Sequence, residues 1–291
     1  MKLGYACLNL TMPTKFRTCR LQTLETKGMT YMKELALHNV TELKKVLEWN
    51  IEHGIYFFRI TSDLIPFATH EKMMWDWAKD DDVLEIFHDI KALQAKHQLR
   101  LTVHPGQYTI INSPRRIVVD NALKDLDYHA KVLQLVNGTD MIIHTGGLYG
   151  DKEQAMIRFE QKYRQLSKQI KSYLRLENDD KIFSTKDVLA IHKRCGVPIC
   201  FDIHHERCFG TEEKELKELF LKVSKTWQEL DFIPKVHISS GKSSSIDRSH
   251  ADFIHLADFQ ILQRVLANVD ADVMIEAKAK DQALTELRQQ L

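Results

Sequence analysis

Six residues of metal-ligand type each stand at the end of a short apolar run. Leu101-Thr102-Val103 leads into His104, Met141-Ile142-Ile143 into His144, and Leu174-Arg175-Leu176 into Glu177. Ile199-Cys200-Phe201 leads into Asp202, Lys235-Val236 into His237, and Val273-Met274-Ile275 into Glu276. Side chains alternate faces along a strand. The residue before each of the six (Val103, Ile143, Leu176, Phe201, Val236, Ile275) is apolar and suited to face a helical layer. The six polar groups then face the other way, toward one another. Three carboxylates gathered out of water repel unless cations or protons neutralise them. Divalent metal ions supply that charge, and mixed nitrogen and oxygen ligation suits Mn, Zn or Fe better than Mg or Ca. A lone histidine at a strand end is usually a hydrogen-bonded structural residue. A whole set of them, mixed with carboxylates, is not.

More ligand-type residues lie close by in the chain. His205 follows Asp202 at i+3 and can face a neighbouring ion, whereas His204 is expected to face away. His70 lies in the loop after the second strand, and His250 follows the serine-rich stretch Ser239–Ser249, with Asp247 and Asp252 as alternative carboxylates. A second or third metal site is therefore expected, and ions about 3.5–4 Å apart suit phosphoryl chemistry. By the same parity Lys235 and Arg175 point inward beneath His237 and Glu177. An ammonium under a metal cluster is disfavoured by like charge, so Lys235 is deprotonated, modified to carry a negative group, or paired with a carboxylate.

The elements that position these residues alternate regularly. Strands are expected at Lys2–Cys7, Ile55–Ile60, Leu99–His104, Asp140–His144, Ser172–Glu177, Val197–Ile203, Pro234–Ile238 and Ala271–Glu276. Helices are expected at Thr41–His53 (closed by Gly54), from Ser113-Pro114 as N-cap and N1 to Asn137, and at Asp151–Lys171 and Ser184–Arg194. Others are expected at Thr211–Leu230, His255–Asn268 and Asp281–Gln289. Such alternation predicts parallel strands joined by right-handed crossovers. Eight units without a linker, and without a GxGxxG or GxxxxGK[ST] loop, predict one closed (β/α)8 TIM-type barrel over residues 1–291, with its site at the C-terminal strand ends. The stretches Leu8–Tyr31, Ser62–Lys79 and Ser239–Ser249 read as loops at that face.

Bulk properties exclude several classes. With 41 basic and 40 acidic residues the chain is no polybasic nucleic-acid coat, though a local basic face needs no overall excess. Lys15, Arg17 and Arg20 in the first loop are the best candidates for phosphate contact, ahead of Arg115, Arg116, Lys278 and Lys280. Five cysteines without a CxxC pair speak for a reducing compartment. The N-terminus lacks the pattern of a signal peptide, and no apolar run approaches the roughly 20 residues of a membrane span. A soluble, cytoplasmic protein is expected.

At these residues the chain resembles the UV damage endonuclease family, in its compact bacterial form. The shared blocks include Gly4-Tyr5-Ala6 with Asn9, Phe58-Arg59-Ile60 with Ser62-Asp63-Leu64, and His104-Pro105-Gly106-Gln107-Tyr108 with Asn112-Ser113-Pro114. Others are His144-Thr145-Gly146-Gly147, Leu176-Glu177-Asn178-Asp179-Asp180, Phe201-Asp202-Ile203-His204-His205, Lys235-Val236-His237-Ile238-Ser239, Ser249-His250-Ala251-Asp252 and Ile275-Glu276-Ala277-Lys278. The resemblance implies a barrel with two or three metal ions, usually Mn2+ with Zn2+ or Mg2+ as alternatives. It implies hydrolysis of the phosphodiester immediately 5′ to a cyclobutane dimer or 6-4 product in double-stranded DNA, leaving a 3′-hydroxyl and a 5′-phosphate. His104, His144, Glu177, Asp202, His205, His237, His250 and Glu276 would be ligands, His70 would share the site, and Lys235 would be carboxylated. Glu177, Lys235 and His70 would then be the catalytic set. Gln107 and Tyr108 would wedge into the duplex where a photoproduct has already weakened stacking, and Tyr5 and Asn9 would touch the lesion or its phosphate. A monomer with no nucleotide cofactor is expected. Competing readings are an abasic-site endonuclease of the same architecture, a xylose-isomerase-type sugar isomerase or epimerase, and a damage-binding protein without catalysis.

Overall fold

Eight parallel strands close into a barrel in chain order, each hydrogen-bonded to the next and the last to the first. The computed structural model describes residues 1–13 and 15–291. The elements run β1 (Leu3–Ala6), α1 (Leu21–Glu52), β2 (Phe57–Ile60), α2 (Asp81–His97), β3 (Arg100–Val103), α3 (Arg116–Val136), β4 (Asp140–His144), α4 (Lys152–Gln165) and α5 (Lys168–Tyr173). They continue β5 (Leu174–Glu177), α6 (Thr185–Cys195), β6 (Ile199–Asp202), α7 (Ile203–Cys208), α8 (Glu213–Lys225), β7 (Lys235–Ile238), α9 (Leu256–Leu266), β8 (Asp272–Ile275) and α10 (Lys280–Gln290). The expected (β/α)8 fold is the observed one.

Strand parity holds as expected. Val103, Ile143, Leu176, Phe201, Val236 and Ile275 are buried in one apolar cluster shared with the surrounding helices. Inside the ring the filling is different. Ala6, Phe57 and Met274 form a small apolar group of their own, and beside them Arg100, Thr102, Asp140, Arg175 and Lys235 are all buried. Close approach is required where β1 meets β2, because a Cβ at Gly4 would lie 2.5 Å from the Phe57 carbonyl oxygen. Asp140 carries the charge balance of the lower barrel. Its Oδ2 accepts from Arg100 at 3.1 and 2.7 Å, and its Oδ1 lies 3.2 Å from Arg175 Nε. Arg100 also donates to Asp272 at 3.0 Å. Burial alone would raise the Asp140 carboxyl, but the two guanidiniums outweigh it and hold the group down at about 2.

The helices depart from expectation at α1, α2, α3 and the α4–α5 pair, and at the short α7, which the sequence reading did not contain. The first starts at Leu21 and not Thr41, because Gly28 (φ 69°) kinks it and interrupts the apolar period in the sequence. Leu24, Met32 and Leu35 nevertheless bury themselves there, with Trp75 packed against them. The helix α2 was not expected at all: its buried stripe is only Val83, Phe87 and Ile90, a narrow face on a charged segment. Ser113 and Pro114 do not cap α3. The Ser113 hydroxyl accepts from Arg115 N at 3.2 Å, ahead of the helix, which begins at Arg116. The stretch Asp151–Lys171 is two helices, divided where Leu166 turns extended and Ser167 caps α5 through Ile170 N.

Removing the Asp140 charge strands two buried guanidiniums, so Asp140→Asn should cost about 3–5 kcal/mol of unfolding free energy. The folded carboxyl titrates below the unfolded one, so the wild-type advantage is complete above about pH 4 and is lost as pH falls toward the folded value. Urea denaturation of both proteins between pH 7 and pH 3 measures it; equal stability at neutral pH would refute the counterion role.

Candidate metal centre

Each of the six strand-end residues reaches the C-terminal mouth, and Glu177 lies at the middle of them. Its Oε2 is 3.1 Å from His104 Nε2 and 3.6 Å from His144 Nε2. Its Oε1 is 2.7 Å from His237 Nδ1 and 3.8 Å from His205 Nδ1. Glu276 Oε1 lies 3.2 Å from the same His237 nitrogen, and Asp202 Oδ2 lies 3.6 Å from His205 Nδ1. Three groups result, each with ligand atoms within 4.8 Å of one another: His104–His144–Glu177, Glu177–His237–Glu276 and Glu177–Asp202–His205. Glu177 belongs to all three.

The local folding explains this convergence. His144 and Glu177 are register partners across β4 and β5, and Asp202 and His237 across β6 and β7. Asp202 then caps α7 by accepting from His205 N at 2.8 Å, which swings His205 back over the barrel. Asn178 bridges the two strand ends, donating to the Asp202 carbonyl and accepting from Asp202 N, both at 2.9 Å. Carbonyl oxygens only accept, so the contacts of His104 Nδ1 with Pro105 O and of His205 Nδ1 with Asn178 O, both 3.0 Å, place the ring hydrogens there. In His104 this leaves Nε2, the nitrogen that faces Glu177, to bind a cation, the usual arrangement behind a metal-binding imidazole.

The donor set fits divalent ions. Asp202 Oδ2 is buried with no hydrogen-bond partner, a costly state that a coordinated cation relieves. Burial opposes ionisation of Glu177, but His237, His144 and His104 outweigh it and keep the carboxyl well below its usual range. Burial likewise opposes the Glu276 charge, and Arg59 and His237 overcome it. His205 is disfavoured as a cation by burial, yet Asp202, Glu177 and Glu276 push it up to about 9. The His104 ring is lowered, by burial first.

Lys235 lies fully buried below this layer, with Nζ 3.2 Å from Thr102 Oγ1 and 5.7 Å from the Phe57 ring centre. Burial pushes it down to about 8, helped by Arg59 and Arg100 and opposed by Cys200 and Asp140. It makes no ion pair among the described residues. Arg59, not singled out from the sequence as a site residue, pairs with Glu276 through Nη1. Its signal was available: it shares the inward parity of Phe57, two residues before it on β2.

Other expected site residues are placed elsewhere. His250 stands beside the cluster, its ring centre 6.3 Å from His205 and 5.9 Å from His204, with Nε2 3.4 Å from Ser239 Oγ. Asp247 spends its carboxylate within its own loop, on Ser243 and Ser249, and Asp252 is exposed; neither joins the three ligand groups. His70 is not brought to the cluster. Its ring packs edge-on against Phe67 at 5.6 Å and its Nδ1 accepts from Lys72 N at 3.1 Å, beside a cavity of about 480 Å3 shared with Ile117 and Lys124. Tyr5 cannot touch a ligand: it is 0% exposed, packed against Phe58, and its hydroxyl donates to Asn50 at 2.7 Å and accepts from Asn9 at 2.9 Å. Its parity is that of the helical layer, so alternation with Gly4 and Ala6 already excluded it. Asn9 is buried too, and its Oδ1 accepts from Thr11 N and Met12 N at 3.0 and 2.9 Å to shape the first loop.

The exposed rim carries the remaining candidates. Tyr108 is 81% exposed at the tip of the loop after β3, with Gln107 exposed beside it. A cavity of about 310 Å3 opens between that loop and the metal-centre side chains, lined by His104, Gln107, His144, Gly146, Asp179 and Ile182. Lys15 and Arg17 are exposed on a first loop held from below, where Asn39 accepts from Arg17 N at 2.7 Å and donates to Arg17 O at 2.8 Å. Arg20, Arg115, Arg116 and Lys278 are exposed as well. All five cysteines are free thiols, and no helix among the described residues is long and apolar enough to cross a membrane.

Fold and site together define a (β/α)8 barrel with a buried histidine–carboxylate centre at its mouth. The chain belongs to the UV-endonuclease UvdE family, whose pattern matches residues 1–291. It is 37% identical over 286 residues to a UV DNA damage endonuclease of Clostridium perfringens, covering 97% of this chain and 68% of that relative. The crystal structure of SacUVDE superposes with a TM-score of 0.88 at 32% identity, covering 100% of this chain and 99% of that one. Endonuclease IV from Thermus thermophilus matches at a TM-score of 0.62 and 13% identity over 99% of this chain and 98% of that one, a likeness of fold.

Tyr5→Phe tests the reassignment of that side chain. Deleting a buried hydroxyl bonded to two amides should cost about 1–3 kcal/mol of stability, read by thermal denaturation, with binding to damaged DNA unchanged. A stable variant that binds DNA poorly would return Tyr5 to the interface.

Proposed function

We propose that this protein is a metal-dependent DNA endonuclease that hydrolyses the phosphodiester immediately 5′ to a UV photoproduct in double-stranded DNA, leaving a 3′-hydroxyl and a 5′-phosphate. Family membership and the names of its relatives support the substrate class. The observation that carries the chemistry is the position of Glu177, whose two oxygens are shared among three ligand groups at the barrel mouth. Two or three ions, Mn2+ above all, would be held by Glu177 with His104 and His144, with His237 and Glu276, and with Asp202 and His205. Bound there, divalent ions lower the pKa of water and stabilise charge on the attacked phosphate and the departing oxygen.

The chain's own residues do the rest. Glu177 holds the groups in common, and Asn178 fixes its neighbour Asp202, so that the three sites share one geometry. Arg59 balances Glu276 from the β2 side. Lys235, buried with no ion pair and crowded by guanidiniums, adds through Nζ to carbon dioxide with loss of a proton, and the resulting carbamate brings negative charge under the ions. Tyr108 and Gln107 enter the duplex at the weakened photoproduct step, where unstacking costs less than in intact DNA. Lys15 and Arg17 hold phosphates as the DNA crosses the first loop. His250 completes an outer ligand position next to His205. The protein acts as a monomer in the cytoplasm and needs no nucleotide.

Nicking of a duplex carrying one cyclobutane dimer tests the reading, with abasic and undamaged duplexes alongside. Nicking should require a divalent ion, vanish with chelator and return with Mn2+. Glu177→Gln should lower the rate by at least about a thousandfold, as loss of a preorganised charge at a reacting phosphate does elsewhere. A rate near wild type would refute the shared role of Glu177, and efficient cutting of the abasic duplex alone would assign the protein to that reaction instead. Tyr108→Ala should weaken binding to the dimer duplex and leave metal content unchanged.

A further inference from the structure

The loop between β7 and α9 presents an apolar side chain that the metal centre does not use. Ile246 is 58% exposed at its tip, with exposed Lys242 and Arg248 on either side. A single exposed isoleucine is ordinary on a surface. What distinguishes this one is the number of bonds that hold its backbone in place. The Asp247 carboxylate accepts from Ser243 N at 3.1 Å and Ser249 N at 2.9 Å, and Lys242 N donates to Ser249 O at 2.7 Å across the bridge of Gly241 to His250. Only glycine fits at that bridge, since a Cβ on Gly241 would lie 2.0 Å from Ser244 O.

The loop is also tied to the elements that carry the metal ligands. His204, fully buried, donates from Nε2 to the Asp247 carbonyl at 3.0 Å. Cys208 Sγ donates to the Ile246 carbonyl at 3.5 Å. Arg248 Nε donates to the Asp180 carbonyl at 2.9 Å and lies 3.4 Å from its carboxylate. The loop thus leans over α7 toward the end of β5. Its own strand β7 stands opposite β3 in the ring, while the Asp180 stretch that Arg248 grips lines the same cavity as Gln107, the neighbour of Tyr108 on the loop after β3. His204, the member of the His204-His205 pair outside the ligand groups, is therefore a buttress between the centre and this loop.

We propose that Ile246 is a second wedge, entering between base steps of the duplex from a loop of the mouth other than that of Tyr108, while Lys242 and Arg248 hold the adjoining phosphates. The inference rests on the duplex substrate proposed above. Aliphatic side chains on rigid supports kink DNA in this way, and the bend brings more protein surface into contact. One wedge bends a duplex about a single point. Two, on separate loops of the mouth, set its angle over the ions. Flanking cations match this occupant, since each phosphate they neutralise offsets part of the unstacking cost.

The test uses a duplex with one cyclobutane dimer, a non-cleavable linkage 5′ to it and a dye at each end, bound to protein whose metal centre is unaltered, so that the strand stays intact. Affinity is read by titration and bend angle by energy transfer. Ile246→Ser should weaken binding roughly tenfold, about 1.4 kcal/mol, and straighten the bound DNA, with an unchanged melting temperature because the side chain is exposed. Ile246→Met, which keeps an apolar tip, should restore both readouts. An unchanged affinity and angle in Ile246→Ser would overturn the proposal and leave the tip to a protein partner. So would weaker binding at an unchanged angle, or a loss that Ile246→Met shares. If the parent protein itself neither binds nor bends the damaged duplex, while binding divalent ions, the nuclease reading and this inference fall together.

Discussion

The barrel interior is filled with charge, and balancing that charge constrains everything else. In most eight-strand barrels branched apolar side chains pack the inside. Here Arg100, Asp140, Arg175, Asp272 and Lys235 occupy the lower layers, and carboxylates with histidines occupy the top. Buried charges without partners are costly enough to unfold a protein. Asp140 sits between two arginines, and Glu177 sits among four imidazoles. Each carboxylate is therefore fixed by what surrounds it, and the rim geometry inherits that rigidity from the layers beneath.

The loops at the mouth are held by the same means, buried polar side chains that bridge separate segments. Asn39 grips the first loop at Arg17, and Asp281 of α10 accepts from Leu10 N at 2.6 Å and Thr11 N at 3.2 Å. Asn112 joins the loops after β3 and β4 through Gly147, donating at 2.9 Å and accepting at 3.2 Å. Asn178 joins β5 to β6, and His204 joins α7 to the loop after β7. Together these bridges tie the strand ends that carry the histidine–carboxylate cluster to the loops that carry Lys15, Arg17 and Tyr108. A site for a long, stiff polymer needs that coupling, because groups on different loops must meet one molecule at fixed separations.

Much of this was legible in the residues. Strand alternation and the apolar residue before each ligand placed six side chains inside one mouth, and the structure agrees for all six. The same parity, applied to β1 and β2, would have moved Tyr5 to the helical layer and added Arg59 to the centre. Motif likeness alone erred at Tyr5 and Asn9, since a residue shared within a family can be shared for packing. Helix boundaries were the weakest reading: Gly28 hid the first half of α1, and the narrow stripe of α2 left no periodic signal in a segment dominated by charge.

Period-two and helical patterns are local, so the chain encoded the kind of elements, their order, the inward face of each strand and hence which histidines and carboxylates meet at the mouth. Distances across the barrel are not local. That Glu177 touches residues from β3, β4, β7 and the turn after β6, that His70 stands apart, and that His204 supports a loop dozens of residues away all depend on ring closure and on how the loops fold back. Those relations are set by packing between segments distant in the chain, which no run of neighbouring residues specifies.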